Sequence, residues 1–138
     1  MNTKNQINVF IVEDNDVFAK SLQGFLITHF PNIKIRIFPV GETCLTKLHL
    51  NPNIIIMDYF LNSKYGEAQN GLEIIKCIKT QNPQTHIIVL SAQENYNVVL
   101  EAIKQYGCFY VQKDPEAFNK VEQLIKSISY KNTLVFEP

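Results

Sequence analysis

The stretch that most limits how this chain can fold is Asn53-Ile54-Ile55-Ile56-Met57-Asp58, an almost wholly apolar run that stops on a carboxylate. It follows Pro52 and is too short for a helix, and its three isoleucines are β-branched, so it reads as a strand buried on both faces. In an open parallel sheet, ligands collect just beyond the carboxyl ends of the central strands. The position of Asp58 is therefore as informative as its chemistry.

The remaining apolar runs repeat the arrangement. Ile7 to Val12 is a strand pattern that leads into Glu13 and Asp14. Phe18, Leu22, Phe25, Leu26 and Phe30 then recur at three and four, which predicts an amphipathic helix from Asn15 to Phe30 that Pro31 stops. Ile33 to Phe38 alternates apolar and basic residues, as a strand covered on one side or lying at an edge does. A weaker helical pattern follows from about Glu42 to Leu50. Beyond Asp58 a long polar loop, Tyr59 to Asn70, precedes a helix from Gly71 to Gln81. His86 to Leu90 is a strand ending on Ser91, Tyr96 to Tyr106 a helix stopped by Gly107, and Cys108 to Gln112 a strand ending on Lys113. A last helix, with Pro115 in its first turn, uses Phe118, Val121, Leu124, Ile125 and Ile128, and Tyr130 to Pro138 reads as a tail.

Five strands alternating with five helices predict an α/β fold: a three-layer, doubly wound (βα)5 domain with a five-stranded parallel sheet. The half-polar second strand and the short fifth strand suit the edges, which favours the order 2-1-3-4-5. At 138 residues the chain is one domain, with a core over about residues 7–129. Thirteen basic and thirteen acidic residues leave no net charge to draw nucleic acid or a membrane surface. Three widely spaced cysteines in or beside apolar stretches fit reduced core thiols, and no run is long enough to span a bilayer, so a cytoplasmic protein is expected.

Four strands thus end on reactive side chains: Glu13 and Asp14, Asp58, Ser91 and Lys113. Each alone has an ordinary explanation. Asp14 or Asn15 could cap a helix, Asp58 could sit in a turn, and a lone lysine is usually a solvated charge. Parallel strands share a direction, however, so these ends must converge on one edge of the sheet. Two like charges ~4 Å apart at an effective dielectric of ~20 repel by about 4 kcal/mol, so three carboxylates there call for a cation. An all-oxygen donor set without histidine or cysteine suits Mg²⁺.

On these residues the chain resembles the receiver domain of bacterial response regulators, of the chemotaxis-regulator type with a flavodoxin-like fold. The likeness rests on Glu13-Asp14, the aspartate after Ile-Ile-Ile-Met, Gly71-Leu72-Glu73, Ser91-Ala92, and Tyr110 three residues before Lys113. It implies that Asp58 accepts a phosphoryl group from a histidine kinase or phosphotransfer protein. It further implies that Asp14, Asp58 and the backbone carbonyl of Phe60 ligate Mg²⁺, with Glu13 acting mostly through waters, and that Ser91 and Lys113 assist. Ser91 and Tyr110 would form a switch acting through the fourth helix on the face made by that helix, the fifth strand and the fifth helix. A downstream protein would bind that face, or a second copy in a phosphorylation-dependent homodimer. Such a domain is not an enzyme; it catalyses only its own phosphotransfer and slow autodephosphorylation.

The sequence departs from the family twice. The loop after Asp58 lacks the usual proline and is longer, and Asp114 replaces the proline that commonly follows the lysine, so a cis bond there would cost ~3 kcal/mol or more. A phosphatase-like Mg²⁺ enzyme would need a second carboxylate where Phe60 stands. An FMN carrier would need a phosphate-cradling loop where Glu13-Asp14-Asn15-Asp16 would repel phosphate. A receiver-like binding module that is never phosphorylated is the remaining alternative. No output domain is expected within the chain.

Overall fold

The computed structural model describes residues 6–59, 71–92 and 96–135, with backbone alone at residues 98 and 130–135. Strands and helices alternate: β1 (Ile7–Val12), α1 (Asp16–His29), β2 (Ile33–Phe38), α2 (Gly41–Leu45), β3 (Ile54–Asp58), α3 (Gly71–Gln81), β4 (His86–Ser91), α4 (Tyr96–Tyr106), β5 (Phe109–Gln112) and α5 (Ala117–Val135). The strands form one parallel sheet in the order β2-β1-β3-β4-β5, the doubly wound arrangement expected from the sequence. The basic-apolar strand β2 and the short β5 take the edges. The run that ends at Asp58 lies in the centre, with every residue of β3 buried.

The sheet separates two apolar layers, and the period-two alternation of strand side chains assigns each residue to one of them. Ile54 and Ile56 face the layer with Val9, Ile11, Ile88, Leu90 and Val111, covered by Ala19, Leu22 and Leu26 of α1 and by Val121 and Ile125 of α5. Ile55, Met57 and Tyr59 face the layer with Phe10, Val12, Ile87 and Val89, covered by Ile74, Ile75 and Ile78 of α3 and by Val99 and Ala102 of α4. Cys44 and Cys108 are buried in this second layer and Cys77 is half-buried, all three as free thiols. Burial pushes the Cys44 and Cys108 thiols up to about 12 and about 11, which keeps them protonated and inert.

Three boundaries differ from the sequence expectation. The helix read from about Glu42 to Leu50 is the five-residue α2 followed by a separate 3₁₀ turn at Leu48–Leu50. The cause is local: the Thr43 and Thr46 hydroxyls donate to the carbonyls of Val40 and Thr43, and the Thr46 and Lys47 amides bond three residues back, tightening the turn. Pro115 lies ahead of α5 rather than in its first turn. The turn there is closed by the Glu116 amide donating to Asp114 Oδ1 and the Ala117 amide donating to the Asp114 carbonyl. Finally, α5 continues to Val135, so most of the stretch read as a tail is helix. Gly107 stops α4 as expected, with φ of 67° and its amide bonded to the Ile103 carbonyl.

Candidate functional site

The hydrogen-bond ladder of the sheet runs one residue past several strands, and this fixes the site. The Glu13 amide donates to the Phe38 carbonyl, the Tyr59 amide to that of Leu90 and the Lys113 amide to that of Ser91, each at 2.9 Å. The alternation of the strands therefore carries on into these residues. Glu13, Asp58 and Lys113 follow Ile11, Ile56 and Val111 by two and lie towards α1 and α5, whereas Ser91 and Tyr110 share the register of Val89 and lie towards α3 and α4.

On the first face, Lys113 Nζ donates to Glu13 Oε1 at 2.9 Å and to Asp58 Oδ2 at 3.4 Å. The other oxygen of Glu13 accepts the Asn15 amide at 3.0 Å, so a carboxylate only 2% exposed is still fully engaged. The capping role falls to Asn15, whose Oδ1 accepts the Phe18 amide at 3.0 Å. Asp14 takes part in an acidic group with Glu13 and Asp58. One carboxylate oxygen each from Glu13, Asp14 and Asp58 lies within 4.8 Å of the others, the sole cluster of potential metal ligands among the described residues.

The electrostatics report the crowding. Burial, with Glu13 adding to it, raises the Asp58 carboxyl from 3.8 to about 7, against the opposing pull of Lys113. Burial pulls the Lys113 ammonium down, but its hydrogen bond to Glu13 and the charge of Asp58 outweigh that and hold it above the ordinary lysine range. One lysine thus neutralises only part of the local negative charge. The donor set is oxygen alone, anionic, and backed by a fixed ladder, which fits a small hard divalent cation such as Mg²⁺. Asp14 and Asp58 are the direct candidates to hold it, with Glu13 tied to Lys113 and Asn15 beside them.

On the second face, Ser91 is 1% exposed, and its hydroxyl donates to the Ala92 carbonyl at 3.3 Å. The Tyr110 hydroxyl stands 3.5 Å from the Ser91 carbonyl oxygen, the outer limit of a hydrogen bond. The two residues were expected to communicate through α4, but β5 pairs directly with β4, so they meet without an intervening element. What α4 contributes is Tyr96, whose ring meets that of Tyr110 edge-on at 5.1 Å and 73°.

Two neighbours of the site were not evident in the sequence as such. Phe18 reads there only as part of the buried face of a helix, yet its ring lies 4.4 Å from Lys113 Nζ. Tyr96 reads only as a helix start. The signal for Phe18 is its place one helical turn beyond Asp14; nothing comparable marks Tyr96. Gly71, in contrast, is explained: a Cβ there would lie 2.7 Å from the Tyr59 carbonyl oxygen, so α3 can start this close to the end of β3 only on a glycine. All peptide bonds of the described residues are trans, including Lys113-Asp114. Phe60, expected to offer a carbonyl to the metal, and Leu61 to Asn70 lie outside the described residues.

Comparison with known proteins agrees with this geometry. The family model of the response regulator receiver domain matches residues 9–128. The response regulator protein VraR of Staphylococcus saprophyticus is 24% identical over 132 residues, covering 95% of this chain and 60% of VraR. A protein-glutamate methylesterase/protein-glutamine glutaminase of Treponema denticola is 27% identical over 111 residues, 78% of this chain but 28% of that protein. The chain thus spans less than two thirds of either relative. Among solved structures, a response regulator receiver domain protein from Clostridium thermocellum superposes with a TM-score of 0.78 at 15% identity, over 94% of this chain and 99% of that one. With the family model spanning the sheet, the acidic group and Lys113, the chain belongs to the response regulator receiver domain family.

Proposed function

We propose that this domain is a phosphoacceptor in a two-component system, with Asp58 taking a phosphoryl group from a histidine kinase or phosphotransfer protein. The observation that carries the reading is the convergence of Asp58 with Glu13, Asp14 and the Lys113 ammonium at one sheet edge. Asp58 Oδ attacks phosphorus, the donor's bond to phosphorus breaks, and an acyl phosphate results. A bound Mg²⁺ would neutralise charge on the transferring group. Lys113, already between two carboxylates, needs only to follow the new negative charge. Ser91 ends the adjacent strand on the other face of the sheet, and its hydroxyl would leave the Ala92 carbonyl to donate to the phosphate.

The acyl phosphate carries roughly −1.5 to −2 charge in place of the Asp58 carboxylate, at a site where one lysine already offsets only part of the charge of three carboxylates. Lys113 and Ser91 are then drawn to the phosphate, and the Tyr110 ring, whose hydroxyl meets the Ser91 carbonyl at the limit of a hydrogen bond, changes its packing against Tyr96. The face of α4, β5 and α5 becomes the output, read by a downstream protein or a second copy rather than by nucleic acid. Among the described residues no helix is long and apolar enough to cross a membrane. A cytoplasmic location goes with the two-component reading. The domain catalyses only its own phosphotransfer and slow loss of phosphate. Incubation with Mg²⁺ and acetyl phosphate should place one acid-labile phosphate on Asp58. Its retention in Asp58→Asn would defeat the assignment.

A further inference from the structure

The ammonium of Lys113 has three walls. Glu13 and Asp58 form two of them, at 2.9 and 3.4 Å. The third is the face of Phe18, whose centroid is 4.4 Å from Nζ, well inside the ~6 Å range of a cation over a ring. Phe18 does not owe its place to the lysine. Its ring packs edge-on against Phe118 of α5 at 5.5 Å and 76°, and Phe118 is in turn held by Phe25 of α1 at 5.4 Å. The wall is built by the packing of α1 on α5 and would stand with the lysine absent.

We propose that Phe18 is a positioning residue for Lys113, its ring face fixing how far the ammonium can move between Glu13 and the phosphoryl-accepting Asp58. The inference rests on the phosphoacceptor reading of the site. The lysine stem has four carbons and many rotamers, and its side chain is 26% exposed, so without a wall Nζ can swing into water. The aromatic face replaces part of that water with a weak, fixed attraction that leaves the ammonium's protons free for oxygen acceptors. An aliphatic side chain of similar size would exclude water equally well but would supply no such attraction. The contrast between aromatic and aliphatic at this one position therefore isolates the effect.

The test uses the full chain with Phe18→Leu and Phe18→Met as aliphatic variants and Phe18→Tyr as the aromatic rescue, each checked for a dispersed amide spectrum. The first readout is the ring-current shift of the Lys113 Hε protons, expected upfield in the unaltered protein and in Phe18→Tyr, and lost in both aliphatic variants. The second is the rate of Asp58 labelling by acetyl phosphate with Mg²⁺, expected to fall roughly threefold to tenfold in the aliphatic variants and to be retained in Phe18→Tyr. Wild-type labelling rates in Phe18→Leu or Phe18→Met would overturn the proposal, as would a slow Phe18→Tyr. A protein that shows the ring-current shift but is never labelled at Asp58 would instead defeat the phosphoacceptor reading on which the proposal stands.

Discussion

Lys113 is bound more closely to Glu13, at 2.9 Å, than to Asp58, at 3.4 Å. The lysine is therefore held more by Glu13 than by Asp58, the proposed phosphoacceptor. Glu13→Gln removes the charge and leaves one acceptor oxygen where two now serve Lys113 and the Asn15 amide, so one of those contacts is lost with it. Three results should follow. Lys113 should move towards Asp58, and Asp58 should ionise at lower pH, because the Glu13 charge is one of the causes that raise it. With one negative charge lost and a cation now on a ligand, Mg²⁺ affinity should fall roughly tenfold or more. The chain has no tryptophan, so the titration needs calorimetry or NMR rather than indole fluorescence. Unchanged Mg²⁺ affinity would mean that Glu13 is only a structural partner of Lys113.

Asp58 makes stability depend on pH. Its carboxyl is raised from 3.8 to about 7, first by burial and then by Glu13. Between these values the folded chain keeps a proton that the unfolded chain has released. The stabilisation from this group is therefore fully present below pH 3.8 and is lost as pH rises towards about 7 and beyond. At about 1.4 kcal/mol per pH unit the gap sets a ceiling of about 4 kcal/mol. Asp58→Asn lacks the titration, so without divalent cation the urea stability of the wild type should fall relative to this variant from about pH 5 to about pH 8. Adding Mg²⁺ at the upper pH should restore much of the difference. A difference independent of pH would show that Asp58 is already ionised throughout.

Gly71→Ala tests how closely α3 supports the site. The new Cβ would lie 2.7 Å from the Tyr59 carbonyl oxygen and 2.8 and 2.9 Å from two ring carbons of Tyr59, a residue 5% exposed and next to Asp58. Backbone cannot yield as a flexible side chain can. We expect a loss of ~1–3 kcal/mol in urea unfolding, accompanied by weaker Mg²⁺ binding because Tyr59 carries Asp58 with it. A variant as stable as the wild type would show that α3 can shift without cost.

The strand order, the edge positions of β2 and β5, and the convergence of Glu13, Asp14, Asp58 and Lys113 were legible in the sequence. All follow from strand patterns and from the shared direction of parallel strands. The split of the site into two faces was also latent there, since Ile54, Ile56 and Asp58 alternate with Ile55, Met57 and Tyr59. Contacts between side chains on separate elements were not legible. Phe18 meets Lys113 because α1 packs on α5, and Tyr96 meets Tyr110 because α4 packs on β5. Such meetings depend on distances between packed elements that periodicity does not encode. The early end of α2 was missed for a different reason: the two threonine hydroxyls compete with the helix on a scale shorter than its apolar repeat.

Two contacts, one with Ser91 and one with Tyr96, compete to set the resting position of Tyr110. Its hydroxyl is 3.5 Å from an oxygen of Ser91, but that oxygen is the backbone carbonyl, so Ser91→Ala leaves the contact in place while removing the hydroxyl offered to the phosphate. A hydrogen bond at that length is weak, whereas an edge-on aromatic pair contributes ~0.5–1.5 kcal/mol beyond area burial, and the Tyr96 ring lies 5.1 Å away at 73°. Tyr96→Ala should therefore release Tyr110 more than Tyr110→Phe does. Moving such a pair of positions from 1:99 to 99:1 takes ~5.5 kcal/mol, several times what the Tyr96 contact provides, so in the unphosphorylated protein the release should be partial. The ring proton shifts of Tyr110, recorded with and without beryllofluoride as a stand-in for the phosphoryl group, give the comparison. Ser91→Ala should keep the wild-type resting shifts and lose most of the response. Tyr96→Ala should start part of the way to the beryllofluoride state. Resting shifts that change in Ser91→Ala but not in Tyr96→Ala would show that the serine, and not the aromatic pair, sets where Tyr110 rests.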